Sequence, residues 1–137
     1  MIDHVSFAVS DMPRAGALYD ALLAPLGYRR LMSFEDEGRT FTGYGPEGKP
    51  ALWIYGGYGS VVPGTGAHTA LLAPDRAAVD AFHRAALAGG CRDDGRPGLR
   101  PEYHANYYAA FVVDPDGHKI EAVCHAPGEF QDQFRQG

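Results

Sequence analysis

The chain has 137 residues, of which 45% are hydrophobic and 21% are charged, and its formal net charge is −5. This length builds one hydrophobic core and is short for two independent domains. The acidic balance excludes a nucleic-acid-binding protein, because no basic cluster is present to neutralise phosphates.

The sequence carries neither a membrane signal nor a disulfide framework. No apolar stretch approaches the length that spans a bilayer, and we expect no signal peptide before Ile2. The two cysteines, Cys91 and Cys124, have no CxxC spacing, which favours reduced thiols. We therefore expect a soluble cytoplasmic protein that has no membrane partner.

The first half of the chain predicts a strand, a helix and three further strands. Val5, Phe7 and Val9 alternate with small or polar residues, which is the period of a half-buried strand. Asp11 is suited to cap the helix, whose apolar residues recur at helical spacing until Gly27. The three strands are predicted over residues 30–34, 39–44 and 51–55.

The second half repeats this order after a glycine-rich linker at 56–66. A strand that contains His68 precedes a helix capped by Asp75, and Gly89 ends that helix. Two strands are predicted over 107–113 and 119–125. The segment 92–100 is rich in glycine, proline and arginine and gives only a poor strand signal.

Matching positions in the two halves indicate a duplication. A shift of 64 residues places His4 on His68 and Asp11 on Asp75, and a shift of 69 places the turn at 45–48 on that at 114–117. We therefore predict an α+β fold of two βαβββ modules, whose curved mixed sheets surround a cleft. The predicted boundaries are a single domain at 1–125, modules at about 1–58 and 66–125, and a tail at 126–137.

Side-chain alternation places three candidate ligands on the faces that the helices leave open. Val5, Phe7 and Val9 should meet the first helix, so His4 points away from it, and Glu121 has the matching parity on the last strand. Two imidazoles and one carboxylate form a ligand set for a divalent metal ion with open positions. The alternative is that each side chain is structural or solvated, as a lone strand histidine commonly is. The same parity argument places Trp53 and Tyr55 under the first helix.

Three segments carry a resemblance to a known family. The opening segment 4–11, the strand that begins at His68 and the closing segment 111–121 resemble those of the vicinal oxygen chelate superfamily. This superfamily includes glyoxalase I, extradiol dioxygenases, fosfomycin-resistance thiol transferases and bleomycin-binding proteins. The resemblance covers about residues 1–125 and implies a metal held by His4, His68 and Glu121. The fourth ligand of the glyoxalase pattern would fall near Leu52 or Ile54, neither of which binds a cation, and this departure counts against authentic glyoxalase I. Because no glutathione-binding residue can be identified in the sequence, robust lactoylglutathione lyase activity is not expected.

The resemblance implies a metal-dependent enzyme of the glyoxalase/dioxygenase type that acts on a small oxygen-chelating substrate. Whether it would be a lyase, a dioxygenase or a thiol transferase is open. Glu121 is the candidate catalytic residue, and the ion is Zn, Fe(II), Mn(II) or Ni(II). The alternative function is metal-free sequestration of a small molecule, as in drug-resistance proteins. Candidate cleft residues are Ser6, Tyr103, His104, Tyr107, Tyr108 and His125.

A homodimer is expected, because two modules leave sheet edges and apolar strand faces that a second copy can cover. In the glyoxalase arrangement, His4 of one subunit would meet His68 and Glu121 of the other, whereas in the dioxygenase arrangement one chain supplies all three. Both arrangements remain open at this stage. In the tail, Phe130 and Phe134 are spaced i,i+4 and predict a docking helical turn.

Overall fold

The computed structural model describes residues 1–128 and confirms the predicted α+β fold of two βαβββ modules. A 3₁₀ turn at Ala24–Leu26 follows the first helix. The first module contains β1 (Val5–Ala8), α1 (Met12–Leu23), β2 (Arg29–Asp36), β3 (Arg39–Gly45) and β4 (Leu52–Gly56). The second contains β5 (His68–Leu72), α2 (Arg76–Ala88), β6 (Arg92–Leu99), β7 (Tyr108–Val113) and β8 (Lys119–Cys124).

Each module forms a four-stranded mixed sheet of the same topology. The strand orders are β1-β4-β3-β2 and β5-β8-β7-β6. The first pair in each sheet is parallel and the other pairs are antiparallel. The first strand of each module therefore lies at a sheet edge, beside the strand that ends the module.

The helix boundaries follow the signals in the sequence. The Asp11 side chain accepts the N–H of Arg14 at 3.1 Å, and the Asp75 side chain accepts the N–H of Ala78 at 2.7 Å. Each carboxylate thereby satisfies one of the backbone donors that a helix start leaves unpaired. Gly27 ends the helical segment at φ 84°, a left-handed conformation that glycine adopts without a Cβ penalty.

One hydrophobic core joins the two modules through their helices. The apolar side of α1, including Leu18 and Leu22, and that of α2, including Val79 and Phe82, belong to a single buried cluster. Both helices pack against each other within it. Because each helix covers one face of its sheet, the opposite face of each sheet is left open for function.

The segment at 92–100 forms a strand even though its sequence gives only a weak strand signal. It forms β6, which pairs with β7 along Arg92–Leu99 through two register irregularities, at Asp93–Gly95 and Gly95–Gly98. Glycine at these positions permits the bulged backbone, with φ 155° at Gly95. Pairing with a buried neighbouring strand thus outweighs the poor intrinsic strand preference.

Residues in and directly after the turn at 114–117 of the second module contact the first module. The buried Tyr19 hydroxyl on α1 donates to the Asp114 carboxylate at 2.6 Å. His118 Nε2 donates to the carbonyl oxygen of Ala8 at 2.7 Å. Burial, together with the adjacent Asp114 charge, raises the pKa of Tyr19 well above its usual value. These contacts fix the relative position of the two sheets.

The sequence also led to expectations for the cysteines, for membrane-spanning helices and for the C-terminal tail. Within the described residues, both Cys91 and Cys124 are buried free thiols. None of the described helices has the length and apolar character needed to cross a bilayer. The predicted docking turn of the tail lies in 129–137, outside the described residues.

Candidate metal centre and ligand cleft

The second sheet brings His68 and Glu121 together. β5 and β8 run in parallel, with His68 opposite Lys119 and Ala70 opposite Glu121. His68 Nε2 lies 3.2 Å from Glu121 Oε1. The Glu121 residue is only 1% exposed, whereas half of the His68 side chain is accessible. A buried carboxylate thus faces an accessible imidazole on the open side of the sheet.

Tyr107 contacts the other oxygen of this carboxylate. Its hydroxyl donates a hydrogen bond to Glu121 Oε2. Burial, reinforced by this bond, raises the pKa of Tyr107 to about 12. The phenol is therefore protonated at neutral pH and acts as a donor.

A cavity of about 430 Å³ opens above this pair. Tyr103, predicted as a cleft residue, lines it, and its ring lies 4.9 Å from that of Tyr107. Lys119 and Asp94 also line the wall, so charged groups of both signs border the cavity. This half of the site is polar.

The first sheet presents His4 in an orientation suited to a ligand. His4 Nδ1 donates to the Asp3 carboxylate at 2.6 Å, which leaves Nε2 of the neutral ring with a free electron pair. Bonds from Lys49 and His4 hold the pKa of Asp3 below its usual value, so this acceptor stays ionised. A carboxylate that orients a ligating histidine is a recurrent feature of metal sites. Sequence reasoning missed Asp3, although its position next to His4 was a usable signal.

The open face of the first sheet is aromatic, which corrects the parity prediction for β4. Trp53 pairs with Ser6 and Tyr55 pairs with Ala8, so both rings share the face of His4 instead of lying under α1. The side chains buried under the helix are those of Leu52 and Ile54. The parity argument failed because both alternating sets of side chains on β4 are large and apolar, so the pattern does not distinguish the two faces. Trp53 packs across Gly43, where a Cβ would lie 2.9 Å from the indole ring.

The register between the parallel strands also changes which residue of the first module corresponds to Glu121. In the second module the carboxylate lies two residues beyond the partner of the histidine, since His68 pairs with Lys119. In the first module Val5 pairs with Leu52, so the corresponding residue for His4 is Trp53. Leu52 and Ile54 were therefore the wrong positions, because both point into the core. Trp53 has no metal-binding electron pair, so the first module offers no fourth ligand at this position.

A small aromatic cavity adjoins His4. It measures about 220 Å³ and is lined by His4, Ser6, Phe34, Phe41, Trp53 and Tyr55. Phe34 stacks on Phe41 at 5.0 Å and meets the Trp53 ring edge-on at 5.9 Å. Ser6, a predicted cleft residue, also borders a larger groove of about 680 Å³ between the modules, on which His68 lies too.

Two further predicted residues form an imidazole pair beside the polar half. The Asn106 N–H donates to His104 Nδ1 at 3.0 Å, so the His104 proton resides on Nε2. His104 Nε2 in turn donates to His125 Nδ1 at 2.8 Å, which places the His125 proton on its Nε2. The His125 ring packs edge-on against Tyr107 at 5.3 Å.

Tyr108 is positioned differently from the other predicted cleft residues. Its hydroxyl donates to Asp80 on α2 at 2.6 Å, and its ring packs against the core cluster. Strand alternation directs Tyr107 to the open face and Tyr108 to the helix layer. Tyr108 is thus a contact between strand and helix.

A single chain does not assemble the three predicted ligands. Within residues 1–128, no three His, Cys, Asp or Glu side chains are grouped closely enough to hold one ion. His68 and Glu121 nevertheless fit a metal, because 3.2 Å is the spacing of two neighbouring ligands whose bonds to an ion are each about 2.0–2.2 Å. The structure therefore contains a close His68–Glu121 pair and, apart from it, a histidine oriented by Asp3.

Comparison with known proteins identifies the family. The family model described as the Glyoxalase/Bleomycin resistance protein/Dioxygenase superfamily matches residues 1–122. The chain belongs to this superfamily. Among solved structures, a glyoxalase/bleomycin resistance protein from Albidiferax ferrireducens is 30% identical, with a TM-score of 0.70, over 89% of this chain and 97% of that one. No curated protein matches the sequence significantly.

Other superfamily structures show the same fold at lower identity. A glyoxylase/bleomycin resistance protein/dioxygenase domain from Frankia sp. is 16% identical, with a TM-score of 0.69, over 92% of this chain and 98% of that one. Glyoxalase I from Zea mays is 23% identical, with a TM-score of 0.68, over 92% of this chain but only 45% of the maize protein. The chain thus spans about half the length of the maize enzyme, and this likeness concerns the fold.

Proposed function

We propose that this protein is a metal-dependent enzyme that acts on a small molecule with two neighbouring oxygen atoms. The proposed ligands are His68 and Glu121 of one chain and His4 of a second copy in a homodimer. The single observation that carries the proposal is the pair formed by the accessible His68 imidazole and the buried Glu121 carboxylate, whose facing atoms are 3.2 Å apart. Burying a carboxylate is costly unless it is paired, and a divalent ion is a suitable partner.

The two-chain arrangement is supported by the contrast between the half-sites. The polar half contributes two ligands, and the aromatic half contributes one histidine that Asp3 already orients. A two-fold axis would place the first half of each copy against the second half of the other, producing two identical complete sites. Exposed Phe34 and Met32 on the first sheet would be covered by the same contact.

In such a site, a bound divalent ion would supply Lewis-acid stabilisation of negative charge on the substrate oxygens. His4 and His68 would hold it as neutral imidazoles, and Glu121 would contribute one negative charge. The rings of Phe34 and Trp53 would exclude water from the apolar part of the substrate. His125, whose ring packs on that of Tyr107, would be the candidate for proton exchange beside the polar half.

Three ligands and a tryptophan at the fourth position favour dioxygenase-like or transferase-like chemistry over glyoxalase I chemistry. A methylglyoxal–glutathione assay with added nickel or zinc tests this preference. We expect turnover far below that of dedicated glyoxalases. Comparable turnover would contradict the preference without contradicting the metal site.

The second candidate function is metal-free binding of a small molecule. It is favoured by the aromatic cavity of about 220 Å³, which is suited to an apolar ligand whether or not a metal is present. In this case His68 and Glu121 would serve as an internal ion pair. The two functions differ in whether the protein retains metal stoichiometrically.

Elemental analysis separates the two candidates. Protein purified without chelator or affinity tag is measured directly and again after addition of Zn, Fe(II), Mn(II) or Ni(II). We expect about one ion per chain, with binding that weakens as pH falls towards and below about 6, because imidazole coordinates only when neutral. No stoichiometric metal in either sample would favour the binding-protein function.

A further inference from the structure

We propose that Tyr107 is a positioning residue that assigns different roles to the two oxygens of Glu121. Its hydroxyl holds Oε2, so that only Oε1, which faces His68, is presented to the metal. This inference rests on the proposed metal site. Tyr107, predicted from sequence as a residue of the substrate cleft, lines the cavity and also contacts Glu121, the proposed metal ligand.

The two oxygens of the Glu121 carboxylate have different partners. Glu121 Oε1 lies 3.2 Å from His68 Nε2, and Oε2 accepts the Tyr107 hydroxyl hydrogen. A carboxylate with both oxygens free can bind an ion through one oxygen or through two. With Oε2 held by a donor, the one-oxygen mode is selected, and one more coordination position stays open for substrate.

Tyr107 is itself held in place by backbone hydrogen bonds and ring packing. Its N–H donates to the His104 carbonyl oxygen at 3.2 Å, and its carbonyl oxygen accepts the Arg100 N–H at 2.7 Å. Its ring packs against those of Tyr103 and His125, with centroids 4.9 Å and 5.3 Å away. A side chain restrained on both sides loses little additional freedom when it orients a ligand.

Glu121 is buried, which makes its hydrogen-bond donor hard to replace. Glu121 is 1% exposed, so water is a poor substitute for a missing donor at Oε2. Removing the hydroxyl leaves the carboxylate free to rotate or to bind through both oxygens. Loss of such a supporting partner typically lowers metal affinity by about 10–100-fold.

The test compares Tyr107→Phe with Tyr103→Phe in the full-length protein. Tyr103 lines the same cavity and packs on Tyr107, but the hydroxyl bonded to Glu121 is that of Tyr107. Both variants keep the aromatic ring, and circular dichroism with a thermal melt verifies folding. Tyr107→Leu provides a second donor-free side chain that does not depend on the packing of the Phe ring.

The readouts are Co(II) affinity by titration and the visible spectrum of the Co(II) protein. We expect Tyr107→Phe and Tyr107→Leu to bind at least about 10-fold more weakly than wild type. Their bands should also lose intensity, because two-oxygen binding by Glu121 raises the coordination number of the ion. Tyr103→Phe should match wild type in both measurements.

The possible failures are distinguishable. Wild-type affinity and spectrum in Tyr107→Phe would overturn the role of Tyr107 and leave the metal site intact. Equal losses in Tyr103→Phe would overturn it as well, since ring packing would then account for the effect. No Co(II) binding by wild type would overturn the proposed metal site, and this inference with it.

Discussion

The open faces of the two sheets share a topology but differ in chemistry. On the first sheet, His4 borders a cavity that is also lined by Phe34, Phe41 and Trp53. On the second, His68 is next to Glu121, and charged and hydroxyl-bearing side chains line the cavity. Duplicated modules have therefore diverged into an aromatic half and a polar half.

The difference shows how one fold can divide a site between two modules. The strand position that holds Glu121 in the second sheet holds Trp53 in the first. A carboxylate there favours an ion, whereas an indole offers an apolar surface for a ligand. In the proposed site, neither half alone would provide both the metal ligands and an apolar wall, so the two halves would have to meet.

The largest expected effect comes from removing the polar half's carboxylate. Glu121→Ala should weaken metal binding by more than about 100-fold, beyond the loss typical of a supporting partner, because it removes a direct ligand. The matched control is Glu102→Ala, an exposed carboxylate in the nearby loop. Isothermal titration with Zn measures both. Equal metal affinities in the two variants would show that Glu121 is not a metal ligand.

The aromatic half is tested through self-association. Phe34 is 44% exposed and stacks on Phe41. If a second copy covers this face, Phe34→Ser should weaken the dimer by about 10-fold or more, as for an apolar residue central to an interface. Leu87→Ser, a residue of similar exposure on α2, is the control. Sedimentation velocity over a concentration series compares the variants, and a monomeric wild type at micromolar concentration would contradict the dimer.

Disrupting the contact between the two modules of one chain should have a moderate effect on the free energy of unfolding. Tyr19→Phe removes the donor to the buried Asp114 carboxylate and should lower the free energy of unfolding by about 1–3 kcal/mol. Tyr58→Phe, at an exposed position, should change it by less than about 0.5 kcal/mol. Urea denaturation measures both variants. Equal effects would show that the Tyr19 hydroxyl does not stabilise the module contact.

The smallest effect concerns acid stability of the second module. The hydrogen bond from His83, followed by that from the Gly95 N–H, holds the pKa of Asp93 below its ordinary value of 3.8. A depressed pKa in the folded state contributes stability above the unfolded pKa, and this contribution is lost as pH falls through the folded value. In Asp93→Asn, stability should therefore fall less steeply than in wild type as the pH drops below about 4. Asp36→Asn, which replaces an exposed carboxylate, should not change this dependence on pH. Thermal melts between pH 3 and pH 6 provide the comparison.

Much of this fold could be predicted from the sequence because its signals are local. The capping residues Asp11 and Asp75, the helical stripes and the repeat of His4 at His68 specified the element order and the duplication. β6 was weakly signalled, since its strand conformation depends on pairing with β7. Sequence patterns indicate local structure, whereas the pairing of strands that are distant in sequence is seen only in the three-dimensional structure.

The candidate site was predictable in part. Parity correctly placed His4 and Glu121 on open faces, but it assigned Trp53 and Tyr55 to the wrong one, because two alternating sets of large apolar residues occupy β4. Tyr107 and Tyr108 were indistinguishable as neighbours in sequence, although their hydroxyls bond Glu121 and Asp80 on opposite faces. Strand register resolves such choices, and single-sequence patterns do not specify it.

Mixing two inactive variants tests the division of the site between chains most directly. His4→Ala and Glu121→Ala each disrupt one half, and both should bind metal poorly alone. When they are co-refolded in equal amounts, a mixed dimer pairs the intact His4 of one chain with the intact His68 and Glu121 of the other. Random pairing should restore about a quarter of the wild-type sites, because half of the dimers are mixed and each has one complete site. Metal binding no higher than that of the separate variants, with mixed dimers present, would contradict the two-chain site.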